Sequence, residues 1–114
     1  MIEIEQEGLE LLLSALRHPV CDGNRLACQL FLGFNREWIA RQAGETDPGD
    51  LEPLNHEDVN DTELKVMMGL MYGIANCPNV KPYLMTVAVA TAILFVCNEE
   101  LERRQAENVS IQYH

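Results

Sequence analysis

The run Pro82-Tyr-Leu-Met-Thr-Val-Ala-Val-Ala-Thr-Ala-Ile-Leu-Phe-Val-Cys97-Asn98 holds no charged residue over 17 positions, and its reading decides the fold. A helix that crosses a membrane needs about 20 consecutive apolar residues. This run falls short of that and includes Thr86, Ala88, Ala90, Thr91 and Ala92, small or hydroxylated side chains near its start. The expectation is therefore a buried central helix, with no membrane partner. It begins near Pro82, a residue favoured in a first helical turn, and runs on into Glu99-Glu100-Leu101-Glu102-Arg103-Arg104.

Upstream, Leu64, Met67, Met68, Met71 and Ala75 recur at helical spacing, with Val66, Leu70 and Ile74 on a second face. This third helix ends at Asn76-Cys77-Pro78. Its Gly69 and Gly73 permit a close approach, either against the alanine-rich fourth helix or as a self-association face. The second helix carries Ala27, Leu30, Phe31, Phe34 and Trp38 on one stripe and Cys28, Leu32 and Ile39 on another, which predicts burial on more than one side. Asp22 or Asn24 serves as its N-cap, and Gly44 stands where a C-terminal glycine cap belongs. The first helix shows Leu9, Leu12, Leu13 and Leu16 at i, i+3, i+4 and i+7, with Gly8 a weak point and Pro19 its expected stop.

Between the second and third helices, residues 44–60 break the pattern, and Asp47-Pro48-Gly49-Asp50 is a strong turn signal. Leu54 and Val59 flank Asn55 like a hydrophobic staple, so a helical turn starting at His56 is expected, running on or pausing near Asn60. At the termini, Ile2-Ile4 and Val109-Ile111-Tyr113 alternate as short strands do and could pair. These readings combine into one all-α domain over residues 1–114. It is a small four-helix bundle-like fold with a long acidic loop between helices two and three.

With 114 residues, 47% of them hydrophobic, the chain suffices for a single core and is too apolar for a disordered acidic tail. Its net charge of -10 rules out holding a phosphate backbone by overall charge, so no direct nucleic-acid binding is expected. The charge has an address. Between Arg41 and Lys65 there is no basic residue, and the interval holds Glu45, Asp47, Asp50, Glu52, Glu57, Asp58, Asp61 and Glu63. These eight acids supply most of the excess negative charge.

Such a segment either serves solubility or steers a basic partner onto the protein. Like charges about 8 Å apart in water repel by only roughly 0.5 kcal/mol, so the cluster needs no compensating cation. A calcium loop does not fit: counted from Asp47 the glycine falls third, and counted from Asp58 the sixth position is Glu63.

His18, Cys21 and Cys28 offer three transition-metal ligands, one short of the usual zinc set. Cys21, placed before a helix start, is the better thiol nucleophile, and Cys77 at a helix carboxyl end the worse one. The four cysteines match neither a zinc motif nor a disulfide framework, and no basic-then-apolar leader opens the sequence as given. Reduced thiols in the cytoplasm are expected. No nucleotide-binding, metalloprotease or serine-hydrolase signature occurs.

The expected function is accordingly a non-enzymatic interaction protein, without catalytic residue, metal or cofactor. Its eight acids would engage a basic protein surface, in the most concrete version the nucleic-acid site of a partner. Small acidic anti-restriction and anti-CRISPR proteins offer an analogy of size and charge, not of motif. The alternative is a homo-oligomeric structural or assembly protein, a homodimer in its simplest form, with the acidic loop only solvated.

Overall fold

A computed structural model describes residues 4–44, 55 and 57–112, the side chains of residues 108–112 excepted. The chain is all-helical: α1 spans Gln6–Cys21, α2 Arg25–Gln42, α3 Asp61–Ala75 and α4 Leu84–Gln112. Short turns join α1 to α2 and α3 to α4, giving two helical hairpins that share one core. Extents of 56 × 29 × 24 Å make the molecule elongated, and the 29-residue α4, about 43 Å long at 1.5 Å per residue, accounts for most of the long axis.

The leucine stripe of α1 behaves as its spacing predicts, with Leu9, Leu12, Leu13 and Leu16 all buried. Around it lie Leu26, Leu30 and Phe34 of α2, Leu64, Met67 and Met71 of α3, and Ala90, Ile93 and Cys97 of α4. Arg41 of α2 ties down the segment leading into α1, donating to Ile4 O at 2.9 Å, Gln6 Oε1 at 3.2 Å and Glu37 Oε1 at 2.9 Å. The start of α1 is also bound to the start of α4. Glu5 accepts from the backbone N–H groups of Met85 and Thr86 and from the Thr86 hydroxyl.

Several expectations are corrected. Pro19 does not stop α1, which continues to Cys21. In the last turn its ring forfeits only the one ladder bond that its N–H would have made, and the chain turns instead at Gly23, in the left-handed region with φ 81. There Gly23 N bonds to Val20 O and Asn24 N to Pro19 O.

Gly69 and Gly73 do not pack against α4, since a Cβ on either would meet nothing within 4 Å. The second stripe of α2 is not buried, with Leu32 70% and Ile39 54% exposed. Nor is α4 buried all round: it covers Thr86, Ala90, Ile93 and Cys97 but exposes Leu84, Met85, Phe95 and Val96. By length and composition α4 could cross a membrane, its most apolar window having a mean hydropathy of 1.6 and 28% of its residues buried.

The expected terminal strands are replaced at one end by helix, because the backbone of residues 109–112 continues α4. Upstream of that stretch, Arg103 bridges Glu100 and Glu107 at i, i+3 and i, i+4 spacing, which favours helix. Ile4 is buried among the helices, and no strand occurs among the described residues. Ile2 and Tyr113 lie outside them.

Candidate functional site

Of the eight acids singled out by charge, Glu45, Asp47, Asp50 and Glu52 lie outside the described residues. The end of their segment is pinned at Asn55. There Gln29 of α2 donates to the backbone carbonyl at 3.0 Å and accepts from the backbone N–H at 2.8 Å. Asn55 Oδ1 in turn accepts from Glu57 N, and Glu57 and Asp58 form an exposed turn. The chain then drops inward at Val59, which is buried. The helical turn expected from His56 falls partly on residues outside the described ones, His56 among them; α3 itself begins at Asp61 with Asn60 as N-cap, so no helix runs on through Asn60.

Asp61 and Glu63 differ in kind from Glu57 and Asp58. Asp61 Oδ1 accepts from Arg104 Nη1 at 2.7 Å, and Arg104 Nη2 donates to Val59 O at 2.8 Å, so α4 clamps the start of α3. Arg103 and Arg104 also bond Glu100, whose carboxyl they hold at about 2.

Glu63 turns inward and is 9% exposed. Its Oε1 accepts from Asn60 N at 3.0 Å, completing a capping box in which Asn60 Oδ1 accepts from Glu63 N at 2.8 Å. Its Oε2 accepts from the backbone N–H of Arg25 at 2.6 Å. These backbone donors, aided by the Arg25 charge, hold its carboxyl below the usual carboxylate range. Asn24, the N-cap of α2, donates to the Glu63 carbonyl at 3.2 Å. The described part of the acidic interval thus divides in two: exposed carboxylates at 57 and 58, then two that bind the fold together.

The remaining chemistry-bearing residues do not converge. Cys21 is the last residue of α1 and exposed, not on the approach to α2, so the helix-start environment expected of it is absent. Cys28 and Cys77 are half-buried, and Cys97 is buried, which pushes its thiol up to about 11. His18 Nε2 lies 3.4 Å from Asp22 Oδ2, both side chains exposed. No group of three histidine, cysteine or acidic side chains among the described residues is arranged to hold a metal ion.

A cleft of about 670 Å³ lies between the end of α1 and α3. His18, Arg25 and Lys65 stand around it, with Pro19, Val66 and Leu70 among its apolar lining. Sequence spacing gave no hint of it, because its walls come from residues some 40 positions apart. Gln29 and Arg104, which set the ends of the acidic turn, likewise carry no motif and are visible only in three dimensions.

No known protein family, curated protein or solved structure matches the chain.

Proposed function

We propose that this is a non-enzymatic acidic interaction protein whose segment from Glu45 to Asp58 docks on a basic surface of a partner protein. The observation that carries this reading is the unbroken acidic interval between Arg41 and Lys65, at whose described end Glu57 and Asp58 point to solvent. A local excess of carboxylates raises the rate of encounter with a cationic surface and opposes binding of acidic competitors. A partner that normally holds nucleic acid has such a surface, and the contacting set would be Glu45, Asp47, Asp50, Glu52, Glu57 and Asp58. Asp61 sits at the rim, bonded to Arg104, and Glu63 is taken up inside the fold.

The test replaces Asp47, Asp50, Glu52, Glu57 and Asp58 by Asn or Gln, leaving Asp61 and Glu63 to hold α3. Partners captured from cell extract by the native chain should be released by salt and by added double-stranded DNA, and should be lost with the neutralised chain. Equal recovery with both chains, insensitive to salt, would sink the reading.

A further inference from the structure

The exposed side of α4 is apolar along its uncharged length. Leu84, Ala88, Ala92 and Phe95 lie on one arc of the helix, bordered by Met85 and Val96. Leu84 is 73% and Phe95 61% exposed, although the opposite arc of the same helix is core. A helix apolar all round is normally covered all round. These six side chains leave roughly 500 Å² open per copy, or about 1,000 Å² for a pair, the lower bound for a specific interface.

The arc is a palindrome in size. Counted from position 90, Leu84 mirrors Val96, Met85 mirrors Phe95, and Ala88 mirrors Ala92. Small residues stand at the centre, where two helices must approach to about 8 Å, and large ones at the ends, where they diverge. Opposite charges flank the arc: Lys81, in the turn that precedes α4, and Glu99, on α4, are both exposed and stand nine positions to either side of Ala90. In a two-fold interface the same patch serves both copies, residue i of one meeting residue j of the other and the reverse, and a patch with small residues at its middle and large ones at both ends suits that.

We propose that the exposed arc of α4 is the interface of a homodimer, with the two α4 helices antiparallel and the two-fold axis at the level of Ala90. Leu84 of each copy packs on Phe95 of the other, Met85 packs on Val96, Ala88 meets Ala92, and Lys81 pairs with Glu99 at both ends. The acidic segment takes no part. A helix lying on a lipid surface would instead have basic residues along its polar edge. Here the arc runs out at Glu99 and Glu102, while Arg103 and Arg104 are tied to Glu100, Glu107 and Asp61.

Light scattering on the full chain at rising micromolar concentration should approach twice 12.9 kDa. Phe95→Glu, at a position outside the core, should weaken the dimer by about tenfold or more with an unchanged helical circular-dichroism spectrum. In a Cys21→Ser background, Ala88→Cys mixed with Ala92→Cys should give a mixed disulfide faster than either variant alone gives its own. Lys81→Glu and Glu99→Lys should each weaken association, and the double variant should restore it. A strict monomer at high micromolar concentration, a dimer indifferent to Phe95→Glu, or preferential self-crosslinking of Ala88→Cys would overturn the proposal. So would a monomer that instead binds phosphatidylcholine vesicles through Phe95.

Discussion

The Glu63 carboxylate accepts the backbone N–H of Arg25 at 2.6 Å, so a side chain in the first turn of α3 closes the first turn of α2. Its other oxygen caps its own helix through Asn60. One residue thereby satisfies donors at two helix starts that would otherwise be left without an intrahelical partner. Glu63→Ala removes both bonds and should cost about 1–3 kcal/mol, read as a lower urea midpoint at unchanged slope. Asn60→Ala should cost about 1 kcal/mol. The double variant should lose less than the sum, because the two side chains form one capping box.

That residue also shows how far the sequence can be read. Asn60-x-x-Glu63 is a capping-box spacing, but eight acids in one interval drew Glu63 into a surface reading. The leucines of α1 and the core stripe of α3 were legible because their periodicity depends only on local backbone geometry. Leu32, Ile39 and Phe95 were not, since periodicity tells which residues share a face and not whether a neighbour covers it. The latch from Glu5 to Thr86 joins residues 81 positions apart and leaves no local trace. The acids from Glu45 to Glu52 remain a reading of charge alone.

The latch from Glu5 to α4 gives stability an acid limit. Hydrogen bonds from Met85 N, from Thr86 N and from the Thr86 hydroxyl hold the Glu5 carboxyl at about 2, against an ordinary 4.5. Glu100 is also held at about 2, and Glu63 is lowered. A carboxylate depressed in the folded state contributes stability above its unfolded value and loses it as pH falls through the folded one. The thermal midpoint should therefore be flat with respect to these groups above about pH 5. It should fall between about 4.5 and 2. Glu5→Gln should lower the midpoint at neutral pH and give a shallower acid limb, converging on the native chain near pH 2. Parallel curves for the two chains would show that Glu5 is not a source of the acid transition.

The cysteines should separate by burial. Cys21 is exposed, whereas Cys97 is buried with its thiol pushed up to about 11. Because the thiolate is the reacting form and must also be reachable, iodoacetamide at pH 8 should label Cys21 first. Cys97 should be labelled only after denaturant is added. Mass spectrometry of the digested protein over a time course reads both. Early labelling of Cys97 in the folded chain would mean that α4 separates from the core on that timescale.

Gly8→Ala sets two effects of opposite sign against each other. Alanine is the better helix former by about 1 kcal/mol, and Gly8 lies inside α1. However, a Cβ there would stand 1.7 Å from Thr86 Oγ1 and 2.8 Å from Thr86 Cβ. Rotating the threonine would move its hydroxyl away from the Glu5 carboxylate and still leave the Cβ contact. The two helices must therefore shift apart, and overpacking of this kind costs about 1–3 kcal/mol. Net destabilisation should outweigh the propensity gain. Gly69→Ala and Gly73→Ala, where an added Cβ meets nothing within 4 Å, should be neutral or stabilising in the monomer. Chemical denaturation of the three variants side by side reads the contrast. A stabilised Gly8→Ala would mean that α1 and α4 are not in close contact at Thr86.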